Sequence, residues 1–277
     1  MKLCDLAYFL HGKAYEVSVL LPNKTCAFAK SLDEKSKNDK VDARMLAQTS
    51  LERDLPKWTP PNSIMLTIKR LCRERAELVD EKTAFSNRLH AKIHAHAPEK
   101  SSLKRANTAL AFLQKQIEQV EADIELAVAK DPDIQQRMAN VCSIKGIGLV
   151  WAATIVSEAN GFTLFKNKAQ LVSYAGYDVI ENSSGSSLDS PHKISKKGNY
   201  RIRKALHFPA LVAVKYVPEL GNLYKRVFDK TKIKMKGYVA VQRKLLVLIY
   251  TLYKNNVEFQ PNFAQNNTQN NPNNNTK

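Results

Sequence analysis

Between Ser63 and Ala129 the apolar residues fall into two runs at helical spacing. The later run is the cleaner: Leu103, Ala106, Leu110, Leu113, Ile117, Val120, Ile124 and Ala127 alternate steps of three and four, the seam of a coiled coil. The earlier run, Ile64, Ile68, Leu71, Leu78, Phe85 and Leu89, keeps to one face, with Arg75 and Lys82 interrupting it. Neither glycine nor proline occurs from Ser63 to His96, and Ala97-Pro98-Glu99 breaks the pattern. The spacing predicts an antiparallel coiled-coil hairpin over residues 56–132, a scaffold through which a homo-oligomer is expected to form. Plain helix packing without further function is the alternative.

Upstream the pattern changes period. Asp5 to Tyr15 reads as a short helix, Glu16 to Pro22 as a buried strand stopped by proline, and Lys37 to Ala47, after a loop, as a helix. One strand cannot pair its own backbone groups, so residues 1–55 are expected to be a residual α/β piece of a larger domain, starting before Met1. Pro56, Pro60 and Pro61 mark a connector. Downstream, Asp131-Pro132 ends the hairpin, and residues 133–258 read as a compact, mostly helical domain. Residues 259–277, rich in Asn, Gln and Thr, are expected to form a disordered tail.

Composition agrees with a mainly α protein: 44% of residues are hydrophobic, and only 9 are glycine. The charge is more telling. Lys and Arg number 43 against 26 Asp and Glu, a formal +17, and nucleic acid is the default partner for such an excess. Ribosomal and membrane-surface proteins share that signature. The four cysteines are widely spaced, which speaks against a zinc site or a disulfide framework. No run approaches the roughly 18 apolar residues of a bilayer span, and the first residues acquire charge too early for a signal peptide. A cytoplasmic protein without membrane contact is expected.

Three constellations carry chemistry. Asp39 and Asp42, spaced i,i+3, put two carboxylates on one helix face, where they could share a divalent cation. The alternative is a solvated face balanced by Lys37, Lys40 and Arg44. The run Ile144-Lys-Gly-Ile-Gly148 before an apolar helix fits a helix-hairpin-helix unit, with Lys145, Gly146 and Gly148 meeting a DNA phosphate. An ordinary helix-helix turn would look similar. Last, the loop Asn182-Ser-Ser-Gly-Ser-Ser187 precedes Lys193, Lys196, Lys197, Arg201, Arg203 and Lys204. A serine hydroxyl beside clustered cations suits attack on a phosphodiester; a flexible linker next to a phosphate-binding patch is the alternative. Lys225, Arg226, Lys230, Lys232, Lys234, Lys236, Arg243 and Lys244 extend the basic density, with Tyr224, Phe228 and Tyr238 available for stacking.

Four segments in order, KSKNDKVDARMLAQ, CSIKGIGLVWAATIVSEANGFTLFKNKAQLVSYAGYDV, NSSG…ISKKGNYRIRKAL and AVQRKLLVLIYTLY, resemble the insertion-sequence 110/116/902-type transposases. These are DEDD recombinases guided by a bridge RNA, and the resemblance covers nearly all the chain except the Asn-rich tail. It implies a RuvC-like (RNase H fold) domain with four metal-binding carboxylates, a coiled coil and a C-terminal domain with a nucleophilic serine. Asp39 and Asp42 match the third and fourth acidic positions. Ser184, directly before Gly185, matches the nucleophile, and Gly198, Asn199, Arg201 and Arg203 match a Gly-Asn…Arg segment expected to face phosphate. Partners implied are DNA and a structured guide RNA; the cofactor implied is a divalent metal, Mg2+. No residue matches the first Asp or the Glu, so the chain is expected to be N-terminally truncated and not to recombine DNA alone. A catalytically inactive nucleic-acid-binding remnant, occupying element ends or guide RNA, is the competing reading. A junction-binding repair protein is a third, which leaves KNDKVDA and NSSG unexplained.

Overall fold

The computed structural model describes residues 3–20, 22–32, 38–55, 57–180, 183–184, 188–189 and 193–261. Its packing divides the chain into two units, Met1–Pro61 and Asn62–Lys277. The low-complexity segment 262–277 lies outside the described residues.

The first unit holds helices α1 (Leu3–Gly12), α2 (Pro22–Ser31) and α3 (Asp39–Glu52). The strand expected over Glu16–Pro22 does not form. Residues 15–20 run without regular structure, and Pro22 opens α2 instead of closing a strand. Two physical reasons account for this. A strand needs a partner ladder, and among the described residues Val17 shows a single backbone bond, accepting from the Trp58 amide at 2.7 Å. Proline at a first helical position also loses no hydrogen bond, so it starts a helix as readily as it stops a strand. Among the described residues of this unit no strand is present, so the residual α/β part is all-helical here. Its interior is slight: Ala7, Phe28 and Thr49 are buried, whereas Phe9 and Leu51 are 58% and 87% exposed.

The second unit begins with α4 (Ser63–Ile93) and α5 (Lys100–Ala129), which pack along each other. Every apolar seam residue of α5 named above is buried or half-buried. The polar interruptions on α4 are answered across the pair: Arg75 Nε donates to Glu121 at 2.6 Å, and the Lys82 ammonium donates to Gln114. Asn62 caps α4, its side chain accepting from the Ile64 amide. Ala97, in the connection, takes a left-handed φ of 51°.

Beyond Asp131, which caps α6 (Pro132–Cys142), come α7 (Leu149–Glu158), a 3₁₀ turn (Asn160–Phe162) and α8 (Lys168–Ala175). Two two-residue ribbons follow. β1 (Val179–Ile180) pairs antiparallel with β4 (Lys193–Ile194), and β2 (Ser183–Ser184) with β3 (Leu188–Asp189). Helices α9 (Tyr200–Tyr216), α10 (Pro218–Thr231) and α11 (Lys234–Asn255) complete the unit. One core joins the base of the hairpin to this region, with Ile68, Ile124, Met138, Ile155, Leu206 and Leu245 each fully buried. Such side chains contribute about 1.5–3 kcal/mol apiece.

Candidate nucleic-acid interface

The glycine turn between α6 and α7 is built from alternating burial. Ile144 and Ile147 enter the core, while Lys145 and Gly148 are exposed. Gly146 sits at φ 101°, and a Cβ there would lie 2.8 Å from the Val212 side chain on α9, so the turn admits glycine alone. Gly148 is the N-cap of α7, and no side chain caps that helix. The leading amides of α7 are therefore left for solvent or an anion. The Lys145 ammonium lies 5.9 Å above the Tyr216 ring.

The basic segment before α9 is tied down by backbone hydrogen bonds at the end of α8. The Lys196 amide donates to Gly176 O at 3.1 Å, and the Asn199 amide to Tyr174 O at 2.7 Å. A Cβ on Gly198 would approach Tyr174 O to 2.4 Å and Gly176 N to 2.6 Å. The Arg203 guanidinium is committed within the fold, donating to Ala175 O at 2.6 Å and Lys196 O at 3.2 Å. Lys193, Lys196 and Lys197 stay exposed.

Asn199 is the N-cap of α9, its side-chain oxygen accepting from the Arg201 and Ile202 amides. Its amide nitrogen donates to Glu158 Oε2 at 2.9 Å. That carboxylate is 1% exposed and is also held by Arg73, with bonds of 2.6 and 3.0 Å. Lys69 lies 3.6 Å away and Arg201 4.0 Å. Burial alone would raise the Glu158 carboxyl, but Arg73, Asn199 and Lys69 outweigh it and hold the group below the ordinary carboxylate value. Burial in turn pushes the Lys69 ammonium down. A second tie, Lys204 to Asp80 at 2.6 Å, again joins α9 to α4.

The placement of the sequence-derived residues is uneven. Gly198, Asn199, Arg201 and Arg203 come together with Lys196 and Lys197, but Asn199 and Arg203 are engaged internally. Ser184 lies on β2, in register with Leu188. It is four residues from Ile180, so its Cα lies within about 14 Å of that end of β1. The flanking Asn182 and Gly185–Ser187 fall outside the described residues. Tyr224, offered for stacking, already stacks on Phe228 at 6.0 Å and packs on Tyr238 at 4.6 Å. In the first unit, Asp39 and Asp42 occupy the opening turn of α3, where Asn38 caps the helix by accepting from the Val41 amide. Acids there also complement the helix dipole. Among the described residues no group of three metal-binding side chains occurs.

Glu158, Arg73 and Lys69 were not singled out by sequence. The signal was available: a glutamate closing an otherwise apolar helix stands against the dipole and needs a compensating cation.

No helix among the described residues is long and apolar enough to cross a membrane. A family model described as "Transposase IS116/IS110/IS902 family" matches residues 138–225, and a DEDD transposase model of the same group matches residues 4–98. Pilin gene-inverting proteins of Moraxella bovis and Moraxella lacunata are each 27% identical over 259 residues, covering 92% of this chain and 77% of theirs. An uncharacterized 43.6 kDa protein of insertion element IS110 from Streptomyces coelicolor is 23% identical over 118 residues, 43% of this chain and 29% of its own length. The chain belongs to the IS116/IS110/IS902 family of transposases. That family implies DNA as partner and a divalent metal site.

Proposed function

We propose that this transposase exchanges DNA strands with Ser184 as nucleophile. Its Oγ attacks a backbone phosphorus, the bond to one deoxyribose oxygen breaks, and that oxygen takes up a proton. The phosphoserine ester keeps the bond energy until a hydroxyl of another strand displaces the serine. The observation that supports this reading most is the place of Ser183–Ser184 on a short ribbon in the segment between the paired strands β1 and β4, with exposed Lys193 on β4 and exposed Lys196 and Lys197 just beyond it in the chain. The relatives named for inverting a pilin gene agree with strand exchange.

In this reading Lys145 with the Gly146–Gly148 hairpin contacts one phosphate in helix-hairpin-helix fashion, and Lys193, Lys196 and Lys197 contact others. Gly198, Asn199 and Arg203 shape the loop that presents them, while Arg201 joins its positive field. Asp39 and Asp42 belong to the family's carboxylate set, and would hold part of a Mg2+ ion that neutralises charge on phosphate oxygens. Two carboxylates are an incomplete set, so no step is assigned to the ion. A structured guide RNA selects the DNA, and copies of the chain associate along the α4–α5 hairpin.

The test supplies guide RNA and matched DNA and follows the covalent protein–DNA adduct on denaturing gels. Wild-type protein is expected to form this first-step adduct even where complete recombination by the chain alone is not expected, and Ser184→Ala to abolish it while DNA binding persists. An adduct that survives Ser184→Ala refutes the nucleophile. Binding without any adduct from the wild-type chain supports the inactive nucleic-acid-binding remnant instead.

A further inference from the structure

A groove of about 740 Å³ opens between the β1–β4 ribbon, the end of α10 and the outer side of α11. This falls within the roughly 300–1,000 Å³ range of ligand-binding clefts. Its floor is apolar: Ile194, Leu223, Val239 and Val247 line it and pack inward on the core. Val179, Ile233 and Met235 at its edge are 50%, 48% and 54% exposed. Around this surface stand five cations, Lys193, Lys196, Lys236, Arg243 and Lys244, and among the described residues none of the lining is acidic. None of the five has an ion-pair partner among the described residues.

An apolar floor beneath a ring of cations matches a polymer that offers flat apolar faces and phosphates together. Duplex DNA offers only the phosphates, because its bases are stacked inside, and would leave the floor uncovered. An unpaired strand offers both, its bases entering the groove and its phosphates meeting the rim. Lys193 and Val179 belong to the β1–β4 ribbon between whose strands the Ser184 segment lies in the chain, four residues beyond Ile180. We infer that this groove captures unstacked bases of a single DNA strand during exchange. The inference rests on the strand-exchange reading above for its choice of DNA.

The experiment measures binding of the whole chain to a single-stranded DNA oligonucleotide carrying a fluorescent purine analogue, beside the matching duplex and the same sequence as RNA. Ala240→Trp, which fills the groove, and Met235→Ser, which removes an exposed apolar edge without touching the core, are each expected to weaken single-strand binding about tenfold and leave duplex binding within about twofold. Equal losses on single strand and duplex, or no loss in Met235→Ser, overturn the groove. Tighter binding of the RNA than of the DNA overturns the choice of strand. Ser184→Ala, run in parallel, is expected to bind like wild type, so failure of the groove appears in binding and failure of the nucleophile in the adduct.

Discussion

Removing Glu158 tests the main electrostatic junction of the second unit. Glu158→Ala leaves Arg73, Lys69 and Arg201 facing one another and strips Asn199 of the acceptor that orients it as the cap of α9. Breaking a buried pair by deleting one partner costs about 3–5 kcal/mol. The low end applies, because the Arg73, Lys69 and Arg201 side chains are 41%, 26% and 31% exposed and regain water when freed. The expected loss is about 3 kcal/mol, a large share of a typical domain stability of roughly 5–15. Glu158→Gln keeps acceptors for Asn199 and Arg73, and is expected to lose about half as much. Urea unfolding followed by circular dichroism reads both; at a slope near 3 kcal/mol/M the alanine midpoint falls by about 1 M. The pH dependence has a defined sign. A carboxyl held below its unfolded value stabilises the fold above that value, near pH 4.3, and the contribution is lost as pH falls through the folded pKa. Glu158→Gln removes that part of the acid sensitivity. An alanine variant within about 1 kcal/mol of wild type refutes the junction as an energetic element.

Two further outcomes are expected. Gly198→Ala sets a Cβ against backbone on two sides, which cannot yield as a side chain could, and should lower the urea midpoint by more than about 2 kcal/mol equivalent; wild-type stability would show that the loop is loosely held. Alanine at Lys193, Lys196 or Lys197 should weaken DNA binding and flatten its logarithmic salt dependence by about 0.9 for each phosphate no longer neutralised, with stability unchanged. Arg203→Ala should do the reverse, because its guanidinium serves Ala175 and Lys196 carbonyls: it should lower stability and keep the salt slope.

The hairpin was legible in the sequence because its cause is local. A three-four spacing of apolar residues on one face both makes a helix and says what the face must meet, and Leu113 to Ala127 sit buried as spaced. The first fifty residues misled for the opposite reason. Glu16 to Leu21 has β propensity, but a strand depends on partners that propensity does not report, and residues 16–20 remain irregular, with the Trp58 amide bonded to Val17 O. Proline was ambiguous there as well, since Pro22 could stop a strand or start a helix, and α2 was missed with it.

At the candidate interface, charge was readable and its distribution was not. A basic run of Lys and Arg announces a polyanion, yet the same guanidinium that could meet a phosphate can equally cap a helix end, and only packing chooses. Arg203 faces carbonyls because Gly176 and Gly198 let the loop and the end of α8 approach each other closely, with no Cβ between them. Asn199 looked like a ligand for phosphate and is a helix cap whose other side reaches Glu158. The junction at Glu158 unites residues 69, 73, 158, 199 and 201, which no local window can contain. Its effect is mechanical as well as electrostatic. Arg73 and Lys69 belong to the hairpin, Asn199 and Arg201 to the start of α9, and Lys204–Asp80 repeats the link two turns further along α4. A displacement of the hairpin is therefore expected to reach the loop bearing Lys196 and Lys197, and Glu158→Gln to loosen that coupling before it unfolds the unit.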